Sequence, residues 1–544
     1  MNTIKILKKH PIGVSQLAIA FLLLLSANQA FLSPPVSGKA HSSIEQQIDQ
    51  AIKQFASENN VPGMTAAVSK TGRLVVNKAC GYANYNDRKP MMPYHRSGIG
   101  SVSKIITSLG IMKLTEENPG FSVDQKLFGT NGVMNDNAFT AAYVLGSQQQ
   151  NRPDWINWYN NMTVKHLMTH TAGLVKNDGE TGPIRTYYGI KEDAKIPDDK
   201  LVQYHLIHKR LKFEPGSKAE YSNIGMGTFA RMVVLAASGK SYGHYIDQKI
   251  FQPLGLQGDI TNYDHTKDDF DSDRHVLEGG KIKTLKWPSD DNRGLDRVGA
   301  AGGWACSARS LIRLMVATDR LSNYKDILKP GTLDQMESRQ FRGDKFPHGL
   351  GWIVDKDGKR VRHNGAGGGG KAELQKYFPG MISNGVDLGG INVAVCVNFG
   401  NIDLGKLKDF AQKLAEITAR GSIPSSYDLF PESDPDNNPP KPGIIGSLVA
   451  GYKWGEGWSQ AEFFKRGEQT YLMLLKEKGF TSKGNNVHIN KVNSNGTIGD
   501  LVANYKWGEG WSQAQFFNRG EQTYLMLLKE KGIPARAKMC TSIG

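Results

Sequence analysis

The apolar residues between Ser101 and Asn118 fall at nearly every angle around a helix instead of along one stripe. They are Val102, Ile105, Ile106, Leu109, Ile111, Met112 and Leu114. A helix with this distribution is buried on most of its sides, whereas a surface helix has one apolar face. The pattern therefore predicts a core helix from Ser101 to Asn118, around which the rest of the chain is arranged.

Elements on either side of this helix follow from the same patterns. Amphipathic helices are predicted at Ile44 to Ser57 and Leu404 to Thr418. Strands are predicted at Met64 to Val68, Leu74 to Ala79, Gly351 to Val354, Lys359 to Arg362, Glu373 to Phe378 and Val393 to Phe399. Further helices are predicted at Thr163 to Met168, Ile224 to Ala237 and Ala308 to Ala317. Strands at both ends with helices between them predict a mixed α/β fold, in which both ends of the chain build one sheet around a helical insert.

Two polar segments interrupt the pattern of helices and strands. One follows Leu174 and extends to about Lys200, and the other covers Asn262 to Arg297. Both are rich in charged and turn-forming residues and show no regular apolar period. We therefore predict surface loops in both places.

The N-terminus has the layout of a secretory signal peptide. It begins with the basic residues Lys5, Lys8 and Lys9. The apolar run Leu17 to Leu25 follows, then small and polar residues, and this run is too short to span a bilayer. We predict a signal peptide at 1–40 that is cleaved after Ala30 or Ala40, and export to the periplasm or the medium with no membrane contact after removal. An uncleaved anchor over Ile12 to Leu32 is the alternative.

Composition changes after Gly421, where proline, aspartate and serine become frequent. The predicted organisation is a signal peptide at 1–40, a main domain at 41–421, a Pro-rich linker at 422–443, a first repeat at 444–480, a polar linker at 481–497, a second repeat at 498–533 and a tail at 534–544.

The C-terminal region contains an internal repeat. Leu448 to Phe480 and Leu501 to Ile533 align without gaps and differ at only four positions. We interpret each unit as an aromatic turn, a serine cap and one amphipathic helix that ends at glycine, so a small α-helical repeat region is predicted. Two such units are too small to be stable alone, so they pack on each other or on the main domain. A sugar-stacking platform at Trp454 and Trp458 is the alternative role for the aromatic turn.

Charge and cysteine usage narrow the classes of partner. The formal net charge is +15, which suits an anionic cell surface. No basic stripe interleaved with aromatic residues occurs in the first four hundred residues, so nucleic acid is not a predicted partner. The four cysteines are widely separated and lack C-x-x-C spacing, and no H-E-x-x-H motif occurs, so neither a zinc site nor a disulfide scaffold is predicted. The sequence leaves open whether one disulfide forms after export.

Two familiar motifs are rejected because their surroundings are wrong. Gly239 to Gly243 matches G-x-S-x-G, but a nucleophile elbow needs a preceding strand and here a helix is predicted. Gly365 to Lys371 resembles a phosphate-binding loop. However, Ala372 stands where a magnesium-binding hydroxyl is required, and a strand follows instead of a helix.

Ser101 and Lys104 carry the chemistry that remains. They are three residues apart at the start of the core helix, so both side chains share one face. Burial favours a neutral lysine that accepts a proton from the serine hydroxyl, and the helix dipole favours negative charge near Ser101. A simple serine cap on a core helix is the alternative. Acyl transfer also needs a proton donor for the leaving group, and Tyr221 with Asn223 is available at the start of a later helix.

In the order of its motifs the chain resembles the serine β-lactamase-like hydrolases, which include class C β-lactamases, D,D-peptidases and related esterases. The markers are Gly100-Ser101-Val102-Ser103-Lys104, His170-Thr171-Ala172-Gly173-Leu174, Tyr221-Ser222-Asn223, Gly349-Leu350-Gly351-Trp352 and His363-Asn364-Gly365. The resemblance extends from about Ser43 to Gly421. It implies an antiparallel sheet flanked by N- and C-terminal helices, an all-helical lobe, and an active site between them.

The resemblance also implies a role for each marker residue. Ser101 is the acylated nucleophile, and Lys104 and Tyr221 share the proton transfers. The residues expected to bind substrate are Asn223, His363, Asn364 and Gly365. The oxyanion hole is expected to consist of the backbone N–H groups of Ser101 and Ala366. No metal and no organic cofactor is implied.

One departure from the family bears on the substrate. Members that process β-lactams usually have Lys-Thr/Ser-Gly where this chain has His363-Asn364-Gly365. Histidine at this position is more typical of esterases and peptidases. The sequence therefore favours a secreted serine hydrolase that acts through a Ser101 acyl-enzyme on esters or on D-amino-acid peptides and amides. A β-lactamase or penicillin-binding D,D-carboxypeptidase is one alternative.

A non-catalytic wall-binding protein that uses its C-terminal repeats is the other alternative. The predicted partners are a small-molecule or peptide substrate and a cell-wall polymer bound through the repeats.

Overall fold

A computed structural model describes two separate parts of the chain. The described residues are 36–176, 181–192, 194–262, 267–285, 295–341, 348–367, 369–430 and six strands between 460 and 529. The chain divides into one unit up to Pro439 and a second from Pro440. Most of the predicted signal peptide lies outside the described residues, although the first helix begins at Val36.

The first unit contains a group of strands near each end and a long run of helices between them. Its strands are β1 (Gly63–Lys70), β2 (Arg73–Asn84), β3 (Lys89–Pro90), β4 (Ser97–Gly98), β5 (Ile260–Asn262), β6 (Arg274–Glu278), β7 (Lys281–Leu285), β8 (Trp304–Cys306), β9 (Ile353–Val354), β10 (Arg360–Gly367), β11 (Gly370–Tyr377), β12 (Ile382–Ser383), β13 (Val386–Asp387) and β14 (Ile391–Val397). Its helices are α1 (Val36–Glu58), α2 (Ser103–Glu117), α3 (Asn137–Gln149), α4 (Asp154–Asn161), α5 (Val164–Met168), α6 (Thr181–Tyr188), α7 (Asp198–His208), α8 (Ala230–Ser238), α9 (Tyr242–Ile246), α10 (Gln252–Leu254), α11 (Leu295–Gly302), α12 (Ala308–Val316), α13 (Pro330–Glu337) and α14 (Leu404–Arg420). A 3-10 turn covers Gly100–Val102, and π-helical turns cover Gly225–Phe229 and Asp247–Phe251. In the part of the chain described here, no helix is both long and apolar enough to cross a membrane.

The main sheet has seven strands in the order β3-β2-β1-β14-β11-β10-β9, and every neighbouring pair is antiparallel. Its centre joins the two ends of the unit, because Met64 on β1 pairs with Val397 on β14. The predicted mixed α/β fold, with an antiparallel sheet built from both ends around a helical insert, is confirmed.

The two faces of the sheet contribute to different cores because successive side chains on a strand point to opposite faces. On β14, Val393, Val395 and Val397 belong to a core shared with the terminal helices α1 and α14. Ala394 and Cys396 belong to the larger core that also contains the apolar residues of α2. The continuous apolar pattern of β14 is thus the consequence of helices covering both faces.

The two segments predicted as surface loops contain regular structure. The first includes α6 and leads into α7, because Ile184, Ile196 and Leu201 are buried together. The second includes the antiparallel hairpin of β6 and β7. Gly279 and Gly280 connect these strands with φ of 56° and 77°, which is the backbone that a tight two-residue hairpin requires. That glycine pair was the signal for the hairpin.

Residues 422–430, assigned above to the linker, pack on the first unit. Asp428 accepts hydrogen bonds from Leu74 N at 3.0 Å and from the Tyr324 hydroxyl at 2.7 Å. Phe430 is 6% exposed, and the Arg309 guanidinium lies 5.4 Å from its ring centroid. The packed part of the unit therefore continues beyond Gly421 to at least Phe430. The described cysteines of this unit, Cys80, Cys306 and Cys396, are free thiols.

In the second unit, the described residues form strands where helices were expected. The strands are β15 (Gln460–Arg466), β16 (Gln469–Leu475), β17 (Val487–Val492), β18 (Ile498–Tyr505), β19 (Trp511–Arg519) and β20 (Gln522–Lys529). β15 to β18 form one antiparallel sheet, and β19 pairs with β20. The prediction of one amphipathic helix per repeat, and hence of an α-helical repeat region, is wrong. A glycine interrupts each expected helix, Gly467 in one and Gly520 in the other, and only two residues separate the paired strands there.

Candidate active site

The core helix places Ser101 at its N-terminus. Gly100–Val102 forms a 3-10 turn, and α2 continues from Ser103 with nearly all of its residues buried. The predicted core helix is confirmed. Ser101 is partly exposed, whereas Lys104, one turn later, is 0% exposed.

The strand β10 lies so close to this turn that the two backbones are in direct contact. A Cβ atom at Gly365 would overlap the Ile99 carbonyl oxygen and would lie 2.8 Å from Ser101 N. Gly100 has φ of 49°, and a Cβ atom there would lie 2.5 Å from Ala366 N. Glycine at both positions therefore lets the two backbones meet, and this contact brings the amide groups of Ser101 and Ala366 to the same place.

The amine of Lys104 has three oxygen neighbours. Its Nζ lies 2.8 Å from Asn223 Oδ1, 2.7 Å from the Ala301 carbonyl oxygen and 3.1 Å from Ser101 Oγ. Complete burial lowers the pKa of the Lys104 ammonium well below its usual value. The neutral amine that this shift favours has two hydrogens and one lone pair. The amide and carbonyl oxygens accept its two hydrogens, so the lone pair is left for the Ser101 hydroxyl proton.

Tyr221 approaches Ser101 from the other side. Its hydroxyl donates to Ser101 Oγ at 2.6 Å, and Lys104 Nζ lies 4.7 Å from its ring centroid. Burial raises the pKa of Tyr221 to about 12, so the side chain is a neutral phenol over the physiological range. Ser101 Oγ thus has a proton acceptor on one side and a proton donor on the other.

The segment that begins with His170 holds the chain around Tyr221. Ser222 Oγ donates to the Val175 carbonyl at 2.8 Å, and Asn223 N donates to the Lys176 carbonyl at 2.8 Å. The two residues that follow the His-Thr-Ala-Gly-Leu motif therefore bind the chain next to Tyr221.

The Gly349 to Trp352 motif is tied to the helical lobe. Leu350 N donates to the Met336 carbonyl at 2.9 Å, and Gly351 N donates to the Met168 carbonyl at 3.2 Å. These bonds link the segment to α13 and α5.

His363 does not face the open cleft. It is 2% exposed, and its Nδ1 lies 2.6 Å from the Asn364 carbonyl oxygen. Burial, with a smaller contribution from Lys104, lowers the pKa of His363 to about 3. Alternation along β10 places the Asn364 side chain on the opposite face of the strand, next to its partner Glu373 on β11. Of the residues expected to bind substrate, the structure brings Asn223 and the Gly365 backbone to Ser101, but not the side chains of His363 and Asn364.

The carbonyl of Ala301, on α11, was not predicted as part of the site. Thr107 Oγ1 also donates to the neighbouring Ala300 carbonyl at 2.6 Å, so this short helix is fixed against α2. The run of small residues from Gly299 to Gly303 was the available signal, because small residues allow close backbone approach.

A family model described as Beta-lactamase matches residues 48–377, which is more than half of the chain. The chain belongs to the beta-lactamase family. The matched range of this beta-lactamase-family domain includes every residue placed around Ser101 above. Members of this fold family are serine hydrolases, among them esterases, amidases and peptidases.

Individual relatives of the beta-lactamase-family chain are distant. Protein flp of Staphylococcus aureus (strain NCTC 8325 / PS 47) is 22% identical over 239 residues, which cover 43% of this chain and 42% of that protein. Penicillin-binding protein 4* of Bacillus subtilis (strain 168) is 25% identical over 194 residues, which cover 35% of this chain and 36% of that protein. The chain thus matches less than half the length of these curated relatives.

A solved structure of EstCE1, described as a hydrolase with promiscuous acyltransferase activity, is similar to this chain with a TM-score of 0.52. The two are 18% identical, and the match covers 70% of this chain and 99% of that one. At this level of identity the likeness shows a shared fold.

Proposed function

We propose that this protein is an exported serine hydrolase that forms an acyl-enzyme on Ser101 from esters or from peptides and amides of D-amino acids. The position of one atom carries the proposal: Ser101 Oγ lies 3.1 Å from Lys104 Nζ and 2.6 Å from the Tyr221 hydroxyl. A hydroxyl is a weak nucleophile until an adjacent base takes its proton. A neutral buried amine at this distance is such a base.

The proposed reaction begins when Ser101 Oγ attacks the substrate carbonyl carbon and its proton passes to Lys104 Nζ. The carbonyl oxygen becomes negative and is bound by the N–H groups of Ser101 and Ala366. When the bond to the leaving group breaks, the phenol of Tyr221 donates its proton to that group. Lys104 then returns its proton to Tyr221. A water molecule attacks the acyl carbon and gives a proton to Lys104, the bond between that carbon and Ser101 Oγ breaks, and Oγ takes a proton from Tyr221. The acid leaves, and transfer of a proton from Lys104 to Tyr221 restores both residues.

The character of His363 supports uncharged substrates. A lysine at this position, usual in members that process β-lactams, supplies a positive charge for a carboxylate. The pKa of His363 is lowered to about 3, so its ring supplies no charge above pH 5. Neutral esters and amides are therefore favoured over penicillins and over peptides that end in D-Ala-D-Ala.

Intact-mass analysis distinguishes the three functions. The protein is exposed separately to an activated neutral ester, a peptide ending in D-Ala-D-Ala and a penicillin, and the adduct is mapped to a residue. The proposed function requires a transient ester adduct on Ser101. A persistent or faster penicillin adduct would favour a β-lactamase or penicillin-binding D,D-carboxypeptidase over the ester or amide hydrolase. No adduct from any reagent would leave the non-catalytic wall-binding protein.

The pH dependence of acylation is expected to show an acid limb only. Protonation of Lys104 removes the base, so kcat/KM should rise with pH through the lowered pKa of this lysine and then stay constant. The pKa of Tyr221 is about 12, so its loss as a donor should not appear below pH 10. Measurement of kcat/KM for a neutral ester from pH 5 to 10 checks this. A decline between pH 8 and 10 would contradict the assignment of Tyr221 as a neutral donor.

Removal of the second unit is expected to spare catalysis. A chain that ends at Phe430 retains every residue placed around Ser101, so it should hydrolyse a small ester within about twofold of the full-length rate. We propose that the repeats bind cell-wall polymer, and sedimentation with isolated walls should fall on truncation. A second chain that ends at Gly421 is the matched comparison. It lacks Asp428 and Phe430 and should have a clearly lower Tm, because burial of a phenylalanine is worth about 3 to 5 kcal/mol.

If the chain ending at Phe430 is inactive while full-length protein is active, the repeats contribute to the fold or the site of the first unit. Equal wall binding by both lengths would refute the proposed role of the repeats.

A further inference from the structure

Three buried histidines interact with one another, one of them packs against Tyr221, and the reaction described above uses none of them. They are His170, His348 and His363, which are 3%, 2% and 2% exposed. The His170 ring centroid lies 4.5 Å from that of Tyr221 and 5.0 Å from that of His348. We propose that His170 is a positioning residue, which holds Tyr221 at Ser101 by binding the chain on both sides of the tyrosine and by packing under its ring. The proposal rests on the proposed function.

The backbone bonds show how His170 fixes Tyr221. Glu220 N, immediately before the tyrosine, donates to the His170 carbonyl at 2.9 Å. Ser222 N, immediately after it, donates to His170 Nδ1 at 3.2 Å. One residue therefore accepts hydrogen bonds from both chain neighbours of Tyr221. Because the phenol hydroxyl lies at the far end of the ring, a small tilt of this segment would move it away from Ser101 Oγ.

The bond from Ser222 N also fixes the protonation state of His170. An Nδ1 that accepts a hydrogen carries no proton, so the ring is the neutral tautomer with its proton on Nε2. The other two rings are the opposite tautomer, because His348 Nδ1 lies 3.3 Å from the Trp352 carbonyl and His363 Nδ1 lies 2.6 Å from the Asn364 carbonyl. Carbonyl oxygens only accept, so both of these nitrogens carry protons.

Burial and the neighbouring titratable groups favour the same neutral state. Burial lowers the pKa of His170 well below its usual value, and His348, Lys104 and His363 lower it further. A proton on Nδ1 would break the bond to Ser222 and would add a cation beside the lysine that must stay neutral. The histidines are not a metal site either: among the described residues, no group of three or more His, Cys, Asp or Glu side chains could hold an ion.

Two substitutions separate the hydrogen bond that His170 Nδ1 accepts from the packing of its ring under Tyr221, and the backbone conformation at His170 suggests the first of them. His170 has φ of 58°, a conformation that asparagine tolerates better than most residues. The side-chain oxygen of Asn is attached to Cγ, as Nδ1 is in histidine, so His170→Asn retains an acceptor for Ser222 N without the ring. His170→Phe retains a ring under Tyr221 and has no acceptor. His205 is a matched control, since it is 1% exposed and its ring lies in the helical lobe against Phe229.

The test compares full-length wild type with His170→Asn, His170→Phe and His205→Asn. Labelling of Ser101 by a fluorophosphonate is followed by intact mass, and kcat and KM are measured for a neutral p-nitrophenyl ester. A displaced Tyr221 hydroxyl should lower kcat more than it weakens substrate binding. His170→Phe should therefore lose about 100-fold in kcat while KM stays within about threefold. For His170→Asn, kcat should remain within about tenfold of wild type. His205→Asn should label and turn over at nearly the wild-type rate, even if its Tm falls.

The outcomes separate this inference from the proposed function. Wild type that does not label at Ser101 refutes the proposed function. Wild type that labels, together with His170→Phe that labels equally fast, refutes the positioning role. Equal losses in His170→Asn and His170→Phe would also refute it, because the acceptor for Ser222 N would then make no difference. If His170→Phe does not fold, His170→Asn decides, because asparagine tolerates the backbone conformation at this position. A kcat of His170→Asn about 100-fold below that of wild type would then overturn the proposal.

Discussion

Replacement of Ser101 by alanine is expected to abolish turnover and the covalent adduct. The variant has no oxygen between Lys104 and Tyr221, so neither proton transfer has a reacting atom. Loss of the nucleophile in serine hydrolases lowers kcat by about a millionfold, so the kcat of Ser101→Ala should be about a million times lower than that of wild type. Ser101 is partly exposed at the helix start, so Tm should stay close to that of wild type. Steady-state kinetics with a neutral ester, intact mass and thermal unfolding measure the three quantities.

Ser103, two residues further on, is the matched control for this prediction. It is 0% exposed, and its Oγ accepts a hydrogen bond from Trp304 N at 3.2 Å. Ser103→Ala should therefore lower stability while the adduct on Ser101 still forms. Turnover by Ser101→Ala at a rate comparable with wild type would place the nucleophile at another residue.

Replacement of Lys104 by methionine is expected to slow acylation by about a thousandfold or more, the upper part of the range for loss of a general base. Methionine fills the buried space of the lysine stem, so the loss is mainly chemical. Two oxygens, those of Asn223 and Ala301, lose their hydrogen-bond donor, and each costs about 1 to 3 kcal/mol if it stays unsatisfied. Single-turnover acylation at pH 7 measures the rate.

The same variant should change how stability depends on pH. The folded pKa of Lys104 is lowered, so between that pKa and the usual value of 10.5 the unfolded chain binds more protons than the folded one. The unfolding free energy of wild type therefore includes a contribution that rises with pH across this window, and the variant lacks it. The difference in unfolding free energy, wild type minus Lys104→Met, should increase from pH 7 to pH 9.5 in denaturant titrations.

Lys113 on the same helix provides the comparison. Its side chain is 23% exposed, and its amine donates to the Ile327 carbonyl at 3.0 Å. Lys113→Met should acylate like wild type. If Lys104→Met also acylates at the wild-type rate, the base is a different group. If the difference in unfolding free energy is independent of pH, the lysine is charged in the folded state.

Much of the first unit could be predicted because its local patterns agree with its long-range structure. The all-round apolar pattern from Ser101 to Asn118 requires a buried helix, and β14 is continuously apolar because helices cover both faces. The order of the motifs also placed Ser101, Lys104 and Tyr221 together. What remained hidden depends on atoms without a sequence signature, such as the carbonyl of Ala301 and the direction in which the His363 ring points.

The repeats show the opposite case. A segment with apolar residues at both helical and alternating positions is ambiguous, and a serine before it and a glycine after it favoured a helix. Gly467, in the middle of that segment, separates two strands whose ends pair as Arg466 with Gln469. A two-residue connection with glycine first is a hairpin signal, and it outweighs the serine cap.

The pairing of β1 with β14 has a consequence for how the enzyme becomes active. Residues more than three hundred positions apart must meet before the centre of the sheet exists, since Met64 pairs with Val397. Contacts of such high sequence separation slow folding, because the entropy of closing a long loop is lost before the strand pairs form. Ser101 and Lys104 are synthesised early, but β10 and its amide at Ala366 come from the last part of the unit. A nascent chain therefore has Ser101 and Lys104 before it has the Ala366 amide, and the proposed acylation of Ser101 should begin only when the last strands have been added.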